Sequence, residues 1–169
     1  SGKGLTREQS RASVVGESLE RYSGIMQGYE YRLQASYREL AEKDAAIHPN
    51  DAMHFSDQQY AKRDEINELG FRFNQVPVPF DPEAVIDWTP IWSLDDQSCK
   101  YIPTAYCYFN YWGHTGAMDK AAAFCLGDSN GCASGSTLEE AVLQGFMELV
   151  ERDSVALWWY NRVQRPVID

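Results

Sequence analysis

Apolar and polar positions follow two different periods along the chain, and the switch between them divides the sequence. Residues 6–26 have a helical period. Thr6 followed three residues later by Gln9 is a capping-box start, and Gly4 supplies a turn just before it. Residues 28–32 read as a short strand or turn. Helical spacing returns over 36–47, stopped at Pro49, and over 56–69, stopped at Gly70. Prolines interrupt the apolar stretch 71–79, which reads as a loop or an edge strand. From Ile86 onward β-branched and aromatic residues dominate. Residues 86–94 and 100–108 read as two strands joined through Asp95, Asp96 and Gln97, a hairpin. A loop of small residues fills 127–136. A long helix over 138–162 follows, opened by a second capping box at Thr137 and Glu140 and stopped before Pro166.

The first and last helices repeat. With the chain shifted against itself by 131 residues, Gly4 falls on Gly135, Thr6 on Thr137, Glu8 on Glu139 and Glu17 on Glu148. Glu20 falls on Glu151, Arg21 on Arg152 and Ser23 on Ser154. These are seven identities in twenty ungapped positions, and they include both caps and the whole polar cluster. At about 100° per residue, Ser13, Glu17 and Glu20 form one stripe with Arg21 beside it. Ala12, Val15, Leu19 and Tyr22 form the opposite stripe. Gln144, Glu148, Glu151 and Arg152 repeat the arrangement, and Glu140 extends the row by one turn.

One such E-x-x-E-R row reads as a solvated face with local ion pairs. Two in register argue for a site, the more so because residues 141–150 are apolar nearly all round, the pattern of a buried helix. Buried carboxylates need partners or metals. Carboxylates suit hard cations such as Mg²⁺, which takes one or two of them together with substrate phosphates. An arginine adds bidentate phosphate contacts. The rows therefore suit a nucleoside triphosphate clamped by metal ions. A di-iron site would need His three residues after Glu, where this chain has Glu both times.

Composition narrows the function classes. A net charge of −10 and a pI near 4.7 argue against non-specific nucleic-acid binding and against docking on anionic lipid. The 44% hydrophobic content suffices for a core, yet no apolar run approaches the ~18 residues of a membrane span. Cys99, Cys107, Cys125 and Cys132 have no C-x-x-C spacing and read as reduced thiols of a cytoplasmic protein. His48, His54 and His114 show no nucleophile or metal spacing and read as surface or core residues. The aromatic runs 106–112 and 158–160 read as buried strand rather than as peptide contacts.

The segments GKGLTREQSRASVVGESLERYS (2–23) and NGCASGSTLEEAVLQGFMELVERD (130–153) resemble the YcaO family. They match its G-K-G plus S-x-x-x-E-x-x-E-R motif and its N-G-x-x-x-G-x-T loop plus Q-x-x-x-E-x-x-E-R motif, in the family's order, over about a quarter of the chain. The resemblance implies an α/β (α+β) fold whose two related halves of packed helices and sheet enclose a nucleotide, with ATP and Mg²⁺ as cofactors. It implies Glu17, Glu20, Glu148 and Glu151 as magnesium ligands. Ser13, Glu140 and Gln144 would contact the nucleotide, and Lys3, Arg21 and Arg152 would lie near its phosphates. Ser136 fills a loop position that is often Asn in the family.

The reaction implied is ATP-dependent cyclodehydration of a ribosomal precursor peptide, as in bacteriocin biosynthesis. A Cys, Ser or Thr side chain attacks the preceding amide carbonyl, the oxyanion takes the γ-phosphoryl group, and loss of phosphate leaves a thiazoline or oxazoline. The implied partners are a leader-peptide-binding protein or fused domain and a second copy in a homodimer. Family members are longer, so residues 1–169 read as a partial YcaO ATP-binding domain, truncated at both ends and inactive in isolation, and no general base is assigned. Two other outcomes stay open: formation of a thioamide or amidine by the same ATP chemistry, and a non-catalytic assembly module.

Overall fold

The computed structural model describes residues 2–43, 45–71, 74–116 and 123–166. The chain forms two compact units. One is built from the two ends, up to Gly24 and from Ser129 onward, and the other is Ile25–Asp128.

The unit built from the ends carries both repeated helices. Helix α1, Arg7–Ser23, starts at Thr6 with the expected capping box: Thr6 Oγ1 accepts from the Gln9 N–H, and the Gln9 side chain accepts from the Thr6 N–H. Two orphan donors of the first turn are thereby satisfied. Its counterpart at the other end of the chain, Leu138–Tyr160, is numbered α8 below in chain order.

In Ile25–Asp128 the segment 28–32, expected as a short strand or turn, is a turn at Gly28 (φ 101°), and strand β1 follows at Leu33–Ala35. Helix α2 is Tyr37–Ala41. It is shorter than the 36–47 expectation because the chain leaves the helix to bond elsewhere: Ala46 bridges to Tyr101, and the Ile47 N–H donates to the Tyr101 carbonyl. A short helix α3, Pro49–Met53, follows, with His48 Nδ1 capping it by accepting from the Asn50 N–H. The helix expected over 56–69 is broken at Lys62 into α4, Asp57–Ala61, and α5, Arg63–Glu68.

Strand β2, Ile86–Trp92, and strand β3, Cys99–Pro103, form the expected antiparallel hairpin, and β1 pairs antiparallel on the far side of β2. Pro90 is tolerated in this central strand because β1 pairs only with Ile86, Asp87 and Trp88; the missing N–H faces an unpaired stretch. Trp88 is fully buried, and its Nε1–H donates to the Ala35 carbonyl at 2.9 Å. Asp87 gathers Arg32, Gln34 and Tyr111, and burial with the Asp87 charge pushes the Tyr111 phenol up.

The second strand ends earlier than expected. Beyond Pro103 the aromatic run forms helices α6, Thr104–Cys107, and α7, Tyr111–His114, not strand. Thr104, the first residue of α6, is buried and shares a hydrogen bond with Thr89 of β2. The four cysteines are thiols.

Helix α8 corrects a further expectation. Within its unit Gly145 is the buried residue of this helix, while Phe146, Met147, Leu149 and Val150 lie about half exposed. Trp158, Trp159 and Tyr160 form its exposed last turn rather than a buried strand. The apolar pattern is present, but among the described residues of this unit it is α1 and the loop before α8 that pack against the helix.

Candidate nucleotide and metal site

The loop 131–136 is seated by two glycines. A Cβ on Gly145 would collide with the Gly131 carbonyl, so α8 and the loop touch backbone to backbone. Gly131 itself is left-handed, at φ 81°, and lies against Leu149. The loop then enters α8 at Thr137, whose Oγ1 accepts from the Glu140 N–H at 3.2 Å. The second half of the expected capping box is replaced: Glu140 Oε2 accepts from the Ser136 N–H at 2.8 Å.

Between α1, this loop and α8 lies a cavity of about 920 Å³. Glu17 and Glu20 line it from α1, and Glu148 and Glu151 line it from α8; Ser13, Ser136, Glu140 and Gln144 complete the polar wall. The two repeated rows thus face one space. Glu17 Oε1 is held by Arg21 at 3.1 Å, and Glu148 Oε1 by Arg152 at 3.5 Å. Glutamate four residues before arginine is the favourable order of such a helical pair. Glu20 differs: burial pushes its carboxyl up, and the charges of Glu148 and Glu17 add to that against the opposing pull of Arg21. Among the described residues, the side chains of Glu20, Gln144 and Glu151 make no hydrogen bond to protein.

Lys3, Arg21 and Arg152 are off the cavity wall. Each guanidinium turns back one helical turn to its own glutamate, and it is the Lys3 backbone N–H that reaches Ser13 Oγ, at 3.3 Å. Sequence reasoning missed the other wall. Ala12, Val15 and Leu19, assigned to the opposite stripe, line the cavity with Gly16, and Arg11 and residues 132–135 join them. On α1 the lining arc is centred near Gly16, so the Ser13, Glu17 and Glu20 stripe is one edge of it. A glycine in mid-helix was the available signal.

The family model described as YcaO cyclodehydratase, ATP and Mg²⁺ binding, matches residues 1–169. The chain belongs to the YcaO family. A solved structure titled as a heterocyclase in complex with substrate and cofactor is 53% identical, with a TM-score of 0.89, over 99% of this chain and 22% of that one. The structure of the heterocyclase TruD is 54% identical, with a TM-score of 0.83, over 95% of this chain and 22% of that one. YcaO from Methanopyrus kandleri, solved with AMPPCP and Mg²⁺, shares the fold at 22% identity and a TM-score of 0.61, over 99% of this chain and 34% of that one. An uncharacterized protein of Methanothermobacter thermautotrophicus is 26% identical over 168 residues, 99% of this chain and 36% of its own length. The chain therefore spans about a fifth to a third of the length of these relatives.

The residues present fit the YcaO cofactors. The cavity volume lies within the roughly 300–1,000 Å³ of small-molecule sites. Among the described residues no three His, Cys, Asp or Glu side chains come together as the ligand group of one ion. A cation here would take one or two carboxylates and complete its shell with phosphate oxygens and water, as Mg²⁺ does.

Proposed function

We propose that this chain is part of a YcaO enzyme that uses Mg-ATP to activate a backbone amide of a ribosomal precursor peptide, closing a Cys, Ser or Thr side chain into a thiazoline or oxazoline. The observation that carries this reading is the pair of repeated carboxylate rows facing one cavity of nucleotide size. Glu17 and Glu148, oriented by their arginines, and Glu20 and Glu151, which make no hydrogen bond among the described residues, hold the metal ions. Ser13, Ser136, Glu140 and Gln144 hold the nucleotide, and the apolar edge at Ala12, Val15 and Leu19 limits water on that side. Bound there, Mg-ATP supplies the phosphoryl group that turns the amide oxygen, a poor leaving group, into a good one.

Ring closure is favoured over thioamide or amidine formation by the likeness to two proteins titled heterocyclases at 53% and 54% identity. The complete set of glutamates favours a catalytic role over a purely structural one. A leader-binding protein or fused domain presents the peptide, and the reaction takes place in the cytoplasm, where ATP and newly made peptide meet. The test is to incubate the full-length protein with ATP, Mg²⁺ and a candidate precursor peptide and to weigh the product. Loss of one water per converted residue, matched by phosphate release, is the expected result. Exchange of oxygen for sulfur, or an unchanged peptide mass across Cys-, Ser- and Thr-containing substrates, would contradict it.

A further inference from the structure

We propose that the Ser134 hydroxyl donates a hydrogen bond to the polyphosphate of the nucleotide and is seated for that task by the missing side chain of Gly16; this rests on the Mg-nucleotide reading above. Ser134 lines the cavity and is partly buried. Among the described residues its hydroxyl has no hydrogen-bond partner. The nearby serines on α1 already bond within the chain. Ser10 Oγ donates to the Gly2 carbonyl and Ser18 Oγ to the Val14 carbonyl, whereas Ser13 Oγ only accepts, from the Lys3 N–H, and keeps its O–H for the nucleotide.

Gly16 faces Ser134 directly. A Cβ at Gly16 would stand 2.8 Å from Ser134 Oγ, closer than real side chains approach. Glycine within a helix is destabilising relative to alanine, so this position gives up helix stability for a close approach. The loop cannot retreat on its other side, where Gly145 already lies against the Gly131 carbonyl. The hydroxyl is thereby fixed at the level of the metal-binding rows, one residue before Glu17 and one turn before Glu20. A serine offers one O–H donor. The phosphate oxygens that complete a Mg²⁺ shell at these glutamates are ionised acceptors, the kind that makes the stronger hydrogen bonds.

The test is calorimetric binding of a non-hydrolysable ATP analogue with Mg²⁺ to the full-length protein, with thermal unfolding measured alongside without nucleotide. Ser134→Ala is expected to bind about tenfold more weakly, the effect of one hydrogen bond to a charged group. In Gly16→Ala the new methyl turns the hydroxyl aside, and binding weakens by about the same factor. The unfolding midpoint of that variant stays level or rises, since alanine is the better helix former. The double variant is expected to match either single one, at about tenfold and not a hundredfold, because the same contact is lost once. Binding of unaltered strength in Ser134→Ala, or losses that multiply in the double variant, would overturn the proposal. Absence of Mg²⁺-dependent binding in the unaltered protein would overturn the nucleotide reading and this proposal with it. Weakening in Glu148→Gln without weakening in Ser134→Ala would overturn this proposal alone.

Discussion

Glu20 sits where its own negative charge is disfavoured. Its carboxyl is raised by burial first and by Glu148 second, so the folded protein holds that proton more tightly than the unfolded chain does. A raised pKa contributes stability that is complete below the ordinary carboxylate range and is lost as pH rises through the folded value. In chelator, the thermal midpoint is therefore expected to fall as pH rises from the ordinary carboxylate range through the raised Glu20 value. Glu20→Gln should remove part of that fall and leave the metal-free protein more stable at neutral pH. Melting curves across pH check this, and a lower neutral midpoint in Glu20→Gln would contradict it. Glu148→Gln or Glu151→Gln keeps the volume and removes a metal-binding charge. Each is expected to abolish ATP-dependent turnover while circular dichroism stays that of the unaltered protein. The carboxylates were legible because their types recur in register. The apolar edge was not, because Ala12, Val15 and Leu19 look like any core stripe until the loop is laid against them.

At the scale of elements, local chemistry was legible and distant pairing was not. The Thr6 and Gln9 box fixes the start of α1 from residues three apart. The ends of α2 and β3 depend on Tyr101 receiving Ile47, and on Thr104 meeting Thr89, contacts across 54 and 15 residues that no periodicity records. Capping carries a direct prediction: Thr6→Ala and Thr137→Ala should each cost about 1 kcal/mol in denaturant unfolding. Trp88→Phe keeps an aromatic ring in the Ile25–Asp128 core but leaves the buried Ala35 carbonyl without its donor, for an expected cost of about 1–3 kcal/mol. Unchanged denaturation midpoints would show that these contacts do not govern the stability of their elements.

On the scale of the whole molecule, the exposed apolar surface of α8 is the feature least expected from the sequence. Leu157, Trp159 and Tyr160 are more than half exposed, and Trp158, Trp159, Arg162 and Val163 line a second hollow of about 410 Å³. Contiguous apolar surface of this kind drives association. The 169-residue chain alone is expected to gain apparent mass with concentration in light scattering, and Trp159→Lys to reduce that gain; a monomer at all concentrations would contradict it. The composition made the helix read as buried, but whether a face is covered depends on what packs there, and the two heterocyclase matches extend far beyond this segment.

The central claim is that the two glutamate rows hold one Mg-nucleotide. It is tested most directly by titrating the full-length protein with a non-hydrolysable ATP analogue in a calorimeter, with and without Mg²⁺, beside the Glu148→Gln and Glu151→Gln double variant. Saturable binding that requires Mg²⁺ and disappears in the folded double variant is the expected result. Equal affinity in the double variant, or binding indifferent to Mg²⁺, would contradict the account.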